Sequence, residues 1–168
     1  MAVNEGKNIT FVGSMKNGPS TIGGLPFPAN HEGHPGWLTY DFLDILPSPA
    51  LDYDPHIIFL EVGMFDMFSS QERHKASDNL IRVIGTITSA RPNALVVLAT
   101  LPLNEFPTLG DPGVYNATIR RIAGNSTTDR IILADIDQAG VLFPLYPRDD
   151  GFRDMAEIWY MAIKPYLN

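Results

Sequence analysis

The sequence predicts an α/β protein, a three-layer α/β/α sandwich in which helices cover both faces of a parallel sheet. Short apolar runs rich in Ile, Val and Leu alternate along the chain with longer segments of helical periodicity. Such an alternation is typical of parallel strands joined by crossover helices. The chain has 168 residues, of which 45% are hydrophobic and 18% are charged. These values predict a single globular domain over residues 1–168.

Four apolar runs are predicted to be the strands of this sheet. Their Ile, Val and Leu residues occupy successive positions, which is typical of strands covered on both faces. The predicted strands are residues 9–12, 56–62, 94–101 and 130–136. In such sheets the ligand crevice lies at the carboxyl ends of the strands, so we expect functional residues to follow each strand directly.

Three other segments are predicted to be helices because apolar residues recur in them at steps of three and four. They are residues 70–89, 114–123 and 150–166. Two segments rich in glycine and proline, residues 16–30 and 47–55, are predicted to be loops.

Composition excludes several classes of function. The formal net charge of -7 argues against a nucleic-acid partner and against an anionic membrane surface. The absence of cysteine excludes disulfides, thiolate metal ligands and a cysteine nucleophile. No apolar run approaches the roughly 18 residues of a membrane helix, and the first residues do not resemble a signal peptide. We therefore expect a cytoplasmic protein that needs no cofactor.

Segments near the predicted strand ends resemble a known family. Residues 11–14 (FVGS) and 30–37 (NHEGHPGW) are similar to its second strand and the following loop, and residues 61–66 (EVGMFD) to its Gly-Thr-Asn-Asp block. Residues 151–160 (GFRDMAEIWY) are similar to its last helix. In this order the segments resemble the SGNH hydrolases close to the carbohydrate acetylesterases, which implies a fold that is flavodoxin-like in outline.

The resemblance also implies that serine-esterase chemistry is lost. The family's nucleophile lies in a Gly-Asp-Ser block after its first strand, and the resemblance begins at the second strand, so we expect the fold to lack the first strand. Ser14 falls where the family has no catalytic serine. The oxyanion-hole asparagine of the family falls on Phe65, which has no donor, and the catalytic aspartate and histidine fall on Phe143 and Tyr146. Gly33, whose N–H serves the oxyanion hole in the family, is retained.

His31 and His34 flank Glu32 in one loop, which leaves two interpretations. The three side chains are possible metal ligands, or they hold the loop in place. We favour the structural role because relatives with metal-free chemistry carry the same residues, and we predict no metal site.

Bulky side chains stand where the family has polar catalytic groups. Met64, Phe65, Phe143 and Tyr146, together with Gly33, are therefore the predicted substrate-binding residues. They indicate a cleft for an apolar ligand. The alternative is that these side chains only fill the space that the catalytic groups have left.

Charged residues crowd the predicted start of the last helix: Arg148, Asp149, Asp150 and Arg153. One interpretation is capping of free N–H groups, with Asp149 and Arg153 as an exposed pair one turn apart. The other is catalytic, with an aspartate as base and an arginine stabilising negative charge, because a carboxylate in an apolar cleft has a raised pKa.

These residues lead to two hypotheses of function. The chain is similar to the small hydrolase-like cyclases of fungal polyketide pathways, which implies lactonisation of an apolar substrate to an α-pyrone without a serine nucleophile. The alternative is a catalytically inactive binding or scaffold protein. Loss of the first strand and its helix would expose apolar surface, so we expect a homodimer, although the loop of residues 16–30 is another possible cover.

Overall fold

The structure, a computed structural model, describes residues 6–7, 9–104, 110–139, 142–143 and 149–167. In chain order the strands and α-helices are β1 (Met15–Lys16), β2 (Thr21–Ile22), β3 (Leu25–Pro26), β4 (Asn30–His31), β5 (Ile57–Leu60), α1 (Met64–Phe68), α2 (Ala76–Ala90), β6 (Leu95–Ala99), β7 (Leu103–Asn104), α3 (Gly113–Gly124), β8 (Ile131–Ala134), β9 (Leu142–Phe143) and α4 (Asp149–Ile163). Short 3-10 helices span Thr39–Asp44, Asp137–Ala139 and Lys164–Tyr166.

The central sheet is parallel and has the strand order β5–β6–β8. Ile57 pairs with Leu95, and Val96 pairs with Ile131. All five residues of β6 are buried, as expected for a middle strand covered on both faces. Three of the four predicted strands are therefore confirmed.

The fourth prediction, a strand over residues 9–12, is wrong. These residues form no strand, and β6 is the single partner of β5 among the described residues. Ile9 packs into the core beside α4, but Phe11 and Val12 are exposed. Their apolar character alone indicated a strand, and the sequence did not reveal that they lack a neighbouring strand.

The core lies in two layers, one on each face of the sheet. Alternate residues of β5 point to opposite faces, so Ile58 and Leu60 pack with α2 and α3, whereas Ile57 packs with α4. Phe59 also faces α4, where its ring meets Trp159 edge to face with centroids 5.0 Å apart. This arrangement confirms the predicted three-layer α/β/α class.

The helices differ from the prediction mainly at their starts. Residues 70–75 form turns, and α2 begins at Ala76 rather than at residue 70. It ends at Ala90, just before Arg91-Pro92, because a residue that precedes proline disfavours helical backbone. The other predicted helices are confirmed as α3 and α4. Along the described chain, every helix lacks either the length or the apolar character that crossing a bilayer requires.

Residues 16–30 are more regular than the predicted loop. β1 pairs antiparallel with β4, and β2 pairs antiparallel with β3. Gly23 and Gly24 join β2 to β3 with φ angles of 57° and 81°. Two consecutive positive φ angles suit a two-residue hairpin turn, and glycine adopts them without a Cβ clash. The Gly-Gly pair was therefore a hairpin signal as well as a loop signal.

Candidate functional site

The carboxyl end of β5 turns sharply into α1, and the turn depends on Gly63. Its φ is 109°, and a Cβ at this position would lie 2.5 Å from Cε1 of Tyr115. The hydroxyl of Tyr115 donates a hydrogen bond to the Val62 carbonyl over 3.0 Å. A side chain of α3 therefore holds the strand end, and only glycine leaves room for it.

Asp66 anchors α1 from within the core. It is fully buried, and its Oδ2 accepts hydrogen bonds from the amide of Thr39 at 2.8 Å and from its hydroxyl at 2.9 Å. The other oxygen, Oδ1, is buried without a partner. Desolvation raises the pKa of Asp66, and the bonds from Thr39 offset only part of that effect. Asp66 is therefore a structural anchor beneath the strand end.

Apolar side chains occupy the start of α1. Met64 and Phe65 are half-buried, and Met64 packs against both layers of the core. Phe65 and Phe68 meet edge to face with ring centroids 5.6 Å apart. The two predicted binding residues of this helix thus lie together just after the carboxyl end of β5, and their role in binding stays a prediction.

Glu32 organises the loop that follows β4. One of its oxygens accepts a hydrogen bond from the Ser14 amide, and the other accepts one from the Ser14 hydroxyl, both at 2.7 Å. His34 Nε2 lies 3.0 Å from the second oxygen, and its ring stacks on Trp37. Burial alone would raise the pKa of Glu32, but the bonds from Ser14 and His34 lower it below its usual value. These contacts hold the loop in place through Ser14 and Trp37.

The Gly33 amide is already occupied. It donates a hydrogen bond to Nδ1 of His31 over 3.0 Å. An oxyanion hole needs donors that point at the developing charge, so an amide bound within its own loop offers nothing to a substrate in this state. Among the described residues, no three or more His, Asp or Glu side chains are grouped to hold a metal ion.

The predicted catalytic residues of α4 lie at its first turns. Asp149, Asp150 and Arg153 are exposed. Asp150 Oδ1 accepts a hydrogen bond from the Gly151 amide at 2.9 Å, and no ion pair between described residues joins Asp149 to Arg153. The bond to Gly151 is the kind of contact that the capping interpretation predicts at a helix start.

Three predicted residues belong to the segment before α4. Phe143 is in β9, whose backbone pairs with β7, and nothing further is described of its side chain. Tyr146 and Arg148 lie outside the described residues. The structure therefore brings together Met64 and Phe65 on α1, and Asp149, Asp150 and Arg153 on α4.

Sequence reasoning missed Glu61, which follows β5 directly. It is exposed to solvent, yet protein atoms crowd it, and this desolvation raises its pKa to about 7. Its signal in the sequence was a single carboxylate that interrupts the apolar run of residues 57–62.

A second missed group lies at the ends of β6 and β8. Arg120 donates two hydrogen bonds to Asp135, at 2.8 and 3.0 Å, and also binds Asp137. Thr100 donates to Asp135 over 3.0 Å, and the Asp137 amide donates to Thr100. The Arg120 bonds lower the pKa of Asp135. Each charge is paired, so this network fastens α3 to the sheet.

Comparisons with known proteins agree with this architecture. The sequence profile of the GDSL-like lipase/acylhydrolase family matches residues 18–156. No curated protein sequence matches the chain. A family 3 carbohydrate esterase of Clostridium thermocellum is similar in structure, with a TM-score of 0.80 and 22% identity over 98% of this chain and 82% of that one.

Two other solved structures have the same fold. A family 3 carbohydrate esterase from Talaromyces cellulolyticus has a TM-score of 0.71 and 22% identity, over 89% of this chain and 78% of that one. An acetyl esterase variant solved with an acetate ion also has a TM-score of 0.71 and 22% identity, over 94% of this chain and 79% of that one.

Proposed function

Since the chain belongs to the GDSL-like lipase/acylhydrolase family, we propose that it catalyses lactone formation, an acyl transfer related to the chemistry of this family. The proposed reaction closes an α-pyrone on a polyketide chain without a serine nucleophile. The structural neighbours are esterases, which act on acyl groups, so a related acyl transfer is a small chemical step from their activity.

The observation that carries the proposal is the apolar carboxyl edge of β5. Met64, Phe65 and Phe68 line this edge, and the Gly33 amide is turned to His31. Hydrolysis needs an ordered water as nucleophile, which does not suit such a surface. Ring closure needs no bound water, because the substrate folds so that its own oxygen meets its own carbonyl, and an apolar cleft favours this by excluding water.

The proposed reaction balances without any further reagent. A base takes the proton from an enol or hydroxyl oxygen of the substrate, and that oxygen forms a C–O bond to the terminal carboxyl or thioester carbon. With a thioester the C–S bond then breaks, and the thiol leaves with a proton. With a carboxylic acid the C–OH bond breaks instead, and water leaves. No oxidant, reductant or covalent enzyme intermediate takes part.

Four residues at or just before the start of α4 are proposed to act as the base and to stabilise negative charge in this reaction: Asp149, Asp150, Arg148 and Arg153. Asp149→Asn and Asp150→Asn test the base. Asparagine caps helices about as well as aspartate, so we expect folding to survive either change. Arg148→Ala and Arg153→Ala test charge stabilisation. If all four variants keep the wild-type rate, this assignment is wrong.

A thioester probe tests the function itself. The purified protein is mixed with the N-acetylcysteamine thioester of a 3,5-dioxo fatty acid, and pyrone and free thiol are followed together. We expect both to form at the same rate, about 100-fold or more above the spontaneous closure. Release of thiol with the open-chain acid, and no extra pyrone, would instead identify a thioester hydrolase.

The second candidate is a binding protein without catalysis. It is favoured by the contact between Asp150 and the Gly151 amide, which uses a proposed catalytic carboxylate in a structural role. A thermal-shift screen separates the two functions. Stabilisation by long unsaturated or aromatic acids, with no pyrone formed from the probe, would support the binding protein. Stabilisation by acetylated sugars would contradict an apolar cleft under either function.

A further inference from the structure

Glu61 is a carboxylate that no structural contact explains. It makes no hydrogen bond or ion pair with any described residue. The other carboxylates close to the strand ends are engaged: Glu32 holds Ser14, Asp66 binds Thr39, and Asp135 binds Arg120. A carboxylate that directly follows a strand and makes no structural contact of its own is a candidate for a functional role.

The strand geometry fixes the side to which Glu61 points. Val62 lies in the same core layer as Leu60, on the face covered by α2 and α3. Glu61 is between them, so its side chain points to the opposite face, as Phe59 does. On that face Phe59 contacts Trp159 of α4, and Met64 packs into the α4 layer of the core. Glu61 therefore stands at the carboxyl edge of the sheet between apolar neighbours.

Its position is also next to the proposed ring-closing surface. Glu61 is two residues before the Gly63 turn, whose strand end Tyr115 holds, and four residues before Phe65 of α1. The outer edge of β5 has no partner strand among the described residues. A base must reach the proton that it removes while the rest of the substrate is held in place.

We propose that Glu61 is the catalytic base that removes the enol or hydroxyl proton in the lactone closure. This inference rests on the proposed function and replaces Asp149 and Asp150 in that single role. The carboxylate accepts the proton as the substrate oxygen attacks the thioester carbon, and it returns the proton to the leaving thiolate. The enzyme thus ends the cycle in its starting protonation state.

The electrostatic setting agrees with this role. Desolvation is the cause of the upward pKa shift of Glu61, and no charged neighbour contributes to it. The ionisable groups on the elements packed against this face belong to α4 and α1. They are Asp149, Asp150, Arg153, Asp154, Glu157 and Tyr160 on α4, and the buried Asp66 on α1. Water that reaches Glu61 opposes the desolvation, so only the upward direction of the shift supports the proposal.

The test compares Glu61→Gln with Glu157→Gln, which makes the same change at an exposed position of α4. On the 3,5-dioxo acyl thioester we expect Glu61→Gln to lower kcat by about 100-fold to 10,000-fold, the usual range for a general base. Glu157→Gln should keep the wild-type rate. Glu61→Asp keeps a base one methylene shorter, so it should recover part of the lost activity.

A titration gives a second readout that does not depend on turnover. Protein labelled with carbon-13 at the glutamate carboxyl carbons should show one resonance that titrates well above the others and that disappears in Glu61→Gln. The rate of the wild type should rise with pH through the same midpoint, because a base acts only when deprotonated.

The outcomes separate the two proposals. If Glu61→Gln keeps the wild-type rate while Asp149→Asn or Asp150→Asn loses it, the role of Glu61 is overturned and the lactonisation stands. A labelled resonance that titrates like an ordinary glutamate would contradict the proposal for Glu61 as well. If the wild type forms no more pyrone than the buffer does, the proposed function fails, and the role of Glu61 fails with it.

Discussion

At the scale of single residues, hydrogen bonds show which polar groups remain free for chemistry. The Ser14 hydroxyl donates to Glu32, and the Gly33 amide donates to His31. A serine nucleophile needs a neighbouring base that accepts its proton and a donor that receives the oxyanion. Glu32 cannot replace that base, because its pKa is lowered and it is bonded to two other groups.

We therefore predict that the protein does not act as a serine esterase. It should hydrolyse p-nitrophenyl acetate no faster than the buffer does, and a fluorophosphonate probe should label no residue. Intact-mass measurement after incubation checks this. Ser14→Ala is the matched control, since labelling that Ser14→Ala abolishes would contradict the prediction directly.

Asp66 gives a prediction about pH. Its pKa is raised in the folded state, so the folded protein holds this proton more tightly than the unfolded chain. The stabilisation by protonated Asp66 is complete below the unfolded pKa of about 4 and is lost as pH rises through the folded pKa. Asp66→Asn removes this loss.

The free energy of unfolding of Asp66→Asn, relative to the wild type, should therefore increase from pH 4 to pH 7. Urea unfolding across this range measures the difference. Asp129→Asn, at an exposed turn, is the control, and its free energy of unfolding should change with pH as that of the wild type does. If the free energy of unfolding of Asp66→Asn also changes with pH as that of the wild type does, Asp66 is ionised equally in the folded and unfolded states.

At the scale of elements, the turn from β5 to α1 decides where the site lies. The prediction concerns Gly63→Ala, which places a methyl group against Tyr115 on backbone with a positive φ. Overpacking and backbone strain together should cost about 2–4 kcal/mol of stability. Gly85→Ala in α2 meets open space and should instead stabilise by about 0.5–1 kcal/mol. Equal effects of the two changes in thermal unfolding would contradict this account.

The elements also show how far the sequence predicts this protein. β5, β6 and β8 were predictable because buried parallel strands carry their signal in consecutive apolar residues. The failure over residues 9–12 has the same origin, since apolar residues indicate burial but do not supply a partner strand. Met64 and Phe65 were predicted as binding residues because they depart from a family pattern. Glu61 and the Arg120 network were not, because their roles depend on which strand ends meet in space.

At the scale of the whole molecule, the outer edge of β5 raises the question of what covers it. Phe11 and Phe59 are 44% and 38% exposed. The β2–β3 hairpin does not bury its own apolar residues, since Ile22 is 62% and Leu25 is 54% exposed. An open apolar edge strand readily pairs with another strand, so a second copy of the chain remains our proposed cover.

We predict a homodimer on this basis. Light scattering after size exclusion should give about twice the 18.6 kDa of one chain at micromolar concentration. Ile58→Lys would disturb the core, so the better variant is Phe59→Lys, whose side chain is already partly exposed. It should shift the equilibrium towards monomer. A wild-type monomer that persists at high micromolar concentration would exclude the dimer.

The parallel pairing of β5, β6 and β8 also governs how the chain reaches its native state. Ile57 meets Leu95, and Val96 meets Ile131, so each pair closes a segment of more than thirty residues that contains a helix. Such non-local pairings carry a high loop-closure entropy and slow the folding of a domain. Helix α2, whose backbone hydrogen bonds are local, can form early, whereas the sheet edge that carries Glu61 and Gly63 is complete only after both crossovers have closed. The cleft is thus among the last parts of the protein to form, and a slow refolding phase should precede recovery of any ligand binding.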